Sequence, residues 1–84
     1  MVEIFTTTGC PYCQELKKEL TINNVPFKEK DTSKREFFDE YNQLGVKAFP
    51  LTKIAQNNMI TYIVGSDSEK ITSLYELINA NFRM

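Results

Sequence analysis

Two spacings of apolar residues, one alternating and one helical, organise the first half of the chain. Residues 2–6 alternate and are rich in β-branched side chains, which predicts a first strand. Leu16 and Leu20 lie four residues apart and would give a first helix its buried stripe, with Asn23-Asn24 ending that helix. Residues 25–30, which begin Val-Pro-Phe, predict a second strand.

The next segment predicts a second helix. Ser33 and Glu36, three residues apart, form the pattern of a capping box at a helix start. Gly45 is a typical C-terminal stop for such a helix. Between them, apolar residues follow at helical spacing, namely Phe37, Phe38, Tyr41 and Leu44.

The rest of the chain predicts a hairpin followed by a third helix. Residues 51–55 and 60–64 are two strand-like runs separated by Asn57-Asn58, a dipeptide suited to a tight turn. They should therefore pair as an antiparallel hairpin. Residues 65–68, Gly-Ser-Asp-Ser, would cap the last helix. The apolar stripe of that helix consists of Ile71, Leu74, Tyr75 and Ile78.

This order, βαβαββα, specifies an α/β fold in one domain that spans residues 1–84. Two strands joined by a helix should be parallel, with a right-handed crossover, whereas the hairpin adds antiparallel strands. We therefore expect a mixed four-stranded sheet flanked by three helices. In such sheets, the residues that bind ligands or react lie in loops at the carboxyl ends of strands. Cys10 falls at that kind of place, after the first strand and at the mouth of the first helix.

Composition and charge exclude several classes of protein. Apolar residues make up 42% and charged residues 25% of the chain, which is typical of a globular protein and not of a disordered one. Ten basic residues against eleven acidic ones leave a net charge of −1, and no block of five like charges occurs. A nucleic-acid binder is therefore disfavoured. The chain shows neither an apolar run of roughly 18–20 residues nor a leader-like start, so we expect a cytoplasmic protein with no membrane partner.

The chain contains two cysteines, Cys10 and Cys13, separated by two residues. A small secreted domain held by disulfides would show more cysteines at wider spacing, and so short a loop constrains the unfolded chain little. Besides a redox pair, two alternatives remain open: ordinary buried cysteines, and a zinc site. Zinc needs about four ligands. Because the chain has no His and no third Cys, such a site would have to be shared between molecules.

Thiol–disulfide exchange requires an attacking thiolate, a second thiol that resolves the mixed disulfide, and an open approach. Pro11 suits the first position of a helix, which makes Cys10 the candidate N-cap. There, unpaired backbone N–H groups and the helix dipole should lower the pKa of the Cys10 thiol below its free value of about 8.5. Cys13 would lie one turn further on, better buried, and within reach of the same sulfur.

The tetrapeptide Cys10-Pro11-Tyr12-Cys13 resembles the active-site signature of dithiol glutaredoxins, members of the thioredoxin-like superfamily, and the resemblance extends from Ile4 to the last helix. It implies a thioredoxin-like fold and a glutathione-dependent enzyme that reduces protein disulfides and glutathione mixed disulfides. Cys10 and Cys13 are the implied catalytic residues, and Tyr12 is an implied glutathione contact. Glutathione would be the reducing co-substrate, with no permanently bound cofactor and no metal. The implied partners are disulfide-containing proteins, ribonucleotide reductase among them, and we expect a monomer.

A second motif of this family, Thr-Val-Pro, corresponds here to Ala48-Phe49-Pro50. The resemblance implies a cis bond before Pro50 that faces Cys10 and leaves Phe49 free to pair with a substrate. An ordinary trans proline at a strand start is the alternative. Lys47 falls where the family has a residue that holds the glycyl carboxylate of glutathione, although a solvated lysine would look the same in the sequence.

A third motif binds the γ-glutamyl end of glutathione in this family and corresponds here to residues 64–67. Ser66 would donate its backbone N–H to the ligand carboxylate. Asp67 would accept from the ligand amino group, a role compatible with capping the last helix. Val64 replaces the first glycine of the motif, and Thr7 replaces a lysine that often precedes the first cysteine.

Two other functions fit the same sequence. Thr7 and Val64 favour a close variant, a small redoxin that is reduced by thioredoxin reductase and donates electrons to ribonucleotide reductase. A different class would be a binding module that holds a metal or an iron–sulfur cluster at a dimer interface.

Overall fold

The computed structural model describes residues 1–56, 58–66, 69, 71–72 and 74–76. The described residues from 69 to 76 are helical and belong to a third helix, α3. No helix in these ranges is both long enough and apolar enough to cross a bilayer. The preceding elements follow the predicted order: β1 (Val2–Thr6), α1 (Pro11–Ile22), β2 (Lys28–Asp31), α2 (Arg35–Gln43), β3 (Leu51–Gln56) and β4 (Met59–Val64).

The four strands form one sheet in the order β2-β1-β3-β4. β1 and β2, which α1 connects, run parallel, whereas β1 with β3 and β3 with β4 are antiparallel. The predicted mixed four-stranded sheet with three helices is confirmed. At the hairpin, Asn58 has the left-handed backbone of a tight turn, with φ of 63°. Its predicted turn neighbour Asn57 lies outside the described residues.

Alternation along β1 supplies two separate cores, one on each face of the sheet. Ile4 belongs to the core that α1 and α3 cover, and Phe5 belongs to the core that α2 covers. Fully burying each large apolar side chain stabilises the fold by about 1.5–3 kcal/mol. The first core comprises Val2, Ile4, Leu16, Leu20, Ile54, Ile63 and Leu74. The second comprises Phe5, Tyr41 and Leu51.

The predicted apolar stripe of α3 agrees with these contacts as far as the described residues reach. Leu74 is 1% exposed. Ile71 and Tyr75 are partly buried and pack against the first core. Ile78, the last predicted member of the stripe, lies outside the described residues.

The second strand begins at Lys28 and not, as predicted, at Val25. Asn24 takes a positive φ of 57°, and the Val25 N–H donates to a carbonyl in the last turn of α1 at 2.9 Å. Val25 and Phe27 then pack against the first core, while Pro26 has no N–H to contribute to a ladder. This apolar segment is therefore a connection that closes the end of α1.

The predicted capping box at Ser33 is not formed. Lys34 is the N-cap of α2, and its side chain makes no capping hydrogen bond. The Ser33 N–H instead donates to Asp31 Oδ1 at 2.9 Å, and this hydrogen bond lowers the pKa of the Asp31 carboxyl. Ser33 is thus part of a local turn at the end of β2 and does not cap α2. At the other end of α2, Gly45 has φ of 72° and provides the predicted stop.

A nearly buried lysine connects α2 to the sheet. Lys30 of β2 lies 2.9 Å from Glu3 of β1 and 2.9 Å from Glu40 of α2. Lys53 of β3 lies 3.8 and 3.7 Å from the same two carboxylates. Burial alone would lower the pKa of Lys30, but its hydrogen bonds to the two carboxylates outweigh burial and raise that pKa. The cluster holds α2, and with it Tyr41, against the sheet.

Candidate active site

The loop after β1 delivers the first cysteine to the amino end of α1. Gly9 takes a positive φ of 73° in this loop, a conformation that favours glycine. Pro11 starts the helix, and Cys10 is its N-cap with an extended backbone. The Cys10 Sγ accepts a hydrogen bond from the Cys13 N–H at 3.2 Å. The predicted N-cap position is confirmed, with a sulfur where a capping oxygen is usual.

Cys10 and Cys13 are joined in a disulfide, with their Cα atoms 5.3 Å apart. Their burial differs: Cys10 is half-buried, whereas Cys13 is 1% exposed. Cys13 shares the buried side of α1 with Leu16 and Leu20. A substrate can therefore approach the sulfur of Cys10, while core packing shields the sulfur of Cys13.

The loop between α2 and β3 carries the predicted proline. The Phe49–Pro50 peptide bond is cis, as predicted; that it faces Cys10 stays a prediction. The Tyr41 hydroxyl donates to the Ala48 carbonyl at 2.8 Å, and the Tyr41 ring stacks on Phe49 with centroids 4.5 Å apart. Burial raises the pKa of Tyr41, against the opposing effect of its hydrogen bond to Ala48. The hydroxyl therefore remains a donor at neutral pH and anchors this loop to α2.

A backbone hydrogen bond joins the end of β4 to the same loop. The Gly65 N–H donates to the Pro50 carbonyl at 2.9 Å. Gly65 has φ of 95°, a conformation strained for any other residue. Val64 precedes it as the last residue of β4, paired with Leu51 of β3. The left-handed conformation therefore falls on the glycine, and the valine that departs from the family motif remains in extended backbone.

A groove of about 280 Å³ is lined by Tyr12, which lies between the two cysteines in the sequence, and by Glu15, Phe49, Gly65 and Ser66. α1 supplies one side, the loop before β3 another, and the end of β4 the third. The structure thus brings together Tyr12, Phe49 and Ser66 from the predicted glutathione contacts. Glu15 was not among the predicted site residues. Its spacing could have indicated it, because residues three apart on a helix lie on one face and Glu15 follows Tyr12 by three.

The other predicted contacts lie outside this lining. Lys47 is exposed and does not line the groove. Pro50 is buried, and its carbonyl accepts a hydrogen bond from Gly65, which lines the groove. Asp67 lies outside the described residues. In the part of the chain that the structure describes, no three His, Cys, Asp or Glu side chains are grouped as a metal site.

The sequence model of the glutaredoxin family matches residues 2–57, which include the cysteine pair and the cis-proline loop. This chain belongs to the glutaredoxin family. N-acetyl-S-hydroxy-L-cysteine reductase of Bacillus subtilis (strain 168) is 30% identical to it over 59 residues, or 68% of this chain and 63% of that protein. The chain therefore spans less than two thirds of the length of this curated relative.

Solved structures of a glutaredoxin and a thioredoxin resemble this chain. Glutaredoxin 1 of Francisella tularensis, complexed with cacodylate, is 27% identical, with a TM-score of 0.61 over 94% of this chain and 95% of that chain. Thioredoxin O2 of Arabidopsis thaliana in its oxidized state is 23% identical, with a TM-score of 0.70 over 90% of this chain and 71% of that chain. The second likeness shows the fold alone. The predicted family and thioredoxin-like fold are confirmed, and the chain is a redox protein with a cysteine pair.

Proposed function

We propose that this member of the glutaredoxin family is a dithiol thiol–disulfide oxidoreductase that takes its electrons from glutathione. The difference between half-buried Cys10 and fully buried Cys13 is the observation that carries the proposal. In the reduced protein, the Cys13 N–H and the amino end of α1 would stabilise a thiolate on Cys10. Cys10 is therefore the attacking group, and Cys13 is the resolving group.

The proposed reaction moves two electrons from the cysteine pair to a substrate disulfide. The Cys10 thiolate attacks one substrate sulfur, the substrate S–S bond breaks, and a thiolate leaves and takes a proton from water. Cys13 then loses its proton and attacks the Cys10 sulfur. The mixed disulfide breaks, the second substrate thiolate leaves, and the Cys10–Cys13 disulfide forms. Two glutathione thiols would restore the dithiol through a second mixed disulfide at Cys10 and leave as glutathione disulfide.

The groove supports the binding of small thiol compounds next to this disulfide. Tyr12 and Phe49 offer aromatic surfaces, and Ser66 is half-buried at the end of β4. We assign the glutathione backbone to this groove, with Lys47 and Asp67 as the proposed partners of its charged ends. The Bacillus subtilis relative is named as a reductase of an oxidised cysteine derivative. That name supports small cysteine-based substrates alongside protein disulfides.

Thioredoxin reductase is the second candidate reductant, because Lys47 does not line the groove and Thr7 leaves no cation before Cys10. In this alternative the same cysteine pair would pass electrons to ribonucleotide reductase. Both versions place the activity in a reducing cytoplasm and require the same attacking cysteine. They differ only in what reduces the Cys10–Cys13 disulfide.

An assay run with two electron sources separates these reductants. The protein is mixed with a small disulfide-bonded peptide and supplied either with glutathione, glutathione reductase and NADPH, or with thioredoxin reductase and NADPH. We expect NADPH oxidation in the first mixture, lost in Cys10→Ser. Turnover in the second mixture alone would show that the glutathione assignment is wrong. Absence of Cys10-dependent turnover in both would contradict the oxidoreductase activity itself.

A further inference from the structure

One carboxylate lines the groove among the residues that the structure describes there. Glu15 lies in its wall with two aromatic side chains and the end of β4. The Glu15 side chain is exposed and has no ion pair or hydrogen bond with any other residue in the described ranges. Its negative charge is therefore available to whatever enters the groove.

Helix geometry explains why Glu15 projects to this side. It follows Tyr12 by three positions, so the two residues are neighbours on the exposed face of α1. Cys13 and Leu16 lie on the adjacent, buried face of α1. Lys18, three positions further along, forms no ion pair with Glu15 that would neutralise it. The described lining of the groove consequently carries a negative charge and no positive one.

We infer that Glu15 determines the charge preference of this groove. Among disulfides of otherwise similar structure, it favours those that carry a positively charged group next to the reacting sulfur over those that carry a carboxylate or sulfonate there. The inference rests on the proposed function, since it concerns substrates of the same cysteine pair. Among the substrates of the proposed function, the preferred ones are therefore cationic: protein disulfides flanked by lysine or arginine, and small amine-bearing thiols in disulfide linkage.

The effect should be modest because Glu15 is exposed to solvent. An exposed pair of unit charges typically changes an equilibrium or a rate by about 1.5- to 5-fold. Cationic and anionic reagents feel the charge with opposite sign, so the ratio of their rates changes by the product of the two effects. The preference should weaken with salt, since the screening length falls to about 8 Å at an ionic strength of 0.15 M.

Charged methanethiosulfonates probe this preference in a single chemical step. We propose to measure the rates at which Cys10 reacts with the trimethylammonioethyl and sulfonatoethyl reagents in a reduced Cys13→Ser background. That background prevents Cys13 from releasing the newly attached group. The uncharged methyl reagent corrects for any change in the thiolate itself. Glu36→Gln on α2 is the matched control, because it removes the same charge from an exposed position outside the groove.

The inference predicts that Glu15→Gln lowers the ratio of cationic to anionic rates by at least about two-fold. Glu15→Lys should lower it further, and Glu36→Gln should leave it unchanged. A ratio in Glu15→Gln equal to that of the parent, at low ionic strength, would overturn the inference. Because this reaction needs no reductant and no turnover, its outcome is independent of the assay that follows NADPH oxidation, called the coupled assay below. A failure of the proposed function would instead appear as absent Cys10-dependent turnover in that assay.

Discussion

Replacing Tyr41 by phenylalanine removes one hydroxyl group and leaves the aromatic ring. In the native protein this hydroxyl donates to the Ala48 carbonyl at 2.8 Å, and the ring stacks on Phe49, which lines the groove. Tyr41 is 6% exposed, so water has little access to replace the lost donor. Tyr41→Phe should therefore loosen the loop before β3 without emptying the core.

The expected magnitude is that of one lost hydrogen bond, a net loss of about 0.5–1.5 kcal/mol in the free energy of unfolding. The stacked contact with Phe49 and the tilted contact with Phe5, at 5.8 Å, are retained. For a domain of this size, each kcal/mol corresponds to a fall of about 4–8 °C in Tm. Because Phe49 lines the groove, we also expect a higher KM for disulfide peptides, with little change in the alkylation rate of Cys10.

Urea unfolding of the reduced protein, followed by circular dichroism, gives the free energy of unfolding, and the coupled assay gives KM. Tyr62→Phe is the matched control. Tyr62 lies on β4, is 42% exposed, and its hydroxyl makes no hydrogen bond with the described residues. Its substitution should change stability by less than about 0.5 kcal/mol. If Tyr41→Phe matches this control in both stability and KM, the hydrogen bond to Ala48 does not anchor the loop.

Three further predictions concern the core, pH and charge. Leu20→Ala, at a residue 0% exposed, should cost about 2–5 kcal/mol in urea unfolding, whereas Ile22→Ala on the exposed side of α1 should cost little. The hydrogen bond from Lys17 lowers the pKa of Glu29 despite its partial burial. Protonation of Glu29 therefore favours the unfolded chain, and the free energy of unfolding should fall as pH drops below about 4.3; a constant value from pH 5 to 3 would contradict this. Lys47→Ala should raise the KM for glutathione a few-fold in the coupled assay and leave Cys10 alkylation unchanged; an unchanged KM would remove Lys47 from glutathione binding.

Local patterns predicted the parts of the fold that local interactions determine. β1 was predicted at its observed bounds because alternation and β-branching coincide in residues 2–6. Cys10 was predicted as the N-cap because Pro11 suits the first helical position. The cis bond between Phe49 and Pro50 was predicted from a family motif. Such a motif carries information about tertiary structure that the spacing of apolar residues does not.

The errors arose where a contact that the pattern does not contain overrides the predicted one. Val25 reads as the start of a strand but packs against the core beside α1, which the sequence does not show. Ser33 has the spacing of a capping box, yet Asp31 accepts its N–H first. The burial of Lys30 was not predicted at all, because Glu3 and Glu40, which pair with its ammonium group, belong to other elements. In each case a partner from another element determines the outcome.

The most direct test of the account is to identify, by mass spectrometry, which cysteine bonds to a substrate. Reduced Cys10→Ser and Cys13→Ser are each mixed with the disulfide-bonded peptide, and adducts are followed over time. We predict that Cys13→Ser accumulates a stable mixed disulfide through Cys10, because the more accessible sulfur attacks and no second cysteine resolves the adduct. Cys10→Ser should form little adduct, because Cys13 is buried. Faster adduct formation through Cys13 in Cys10→Ser would contradict the assignment of Cys10 as the attacking thiol.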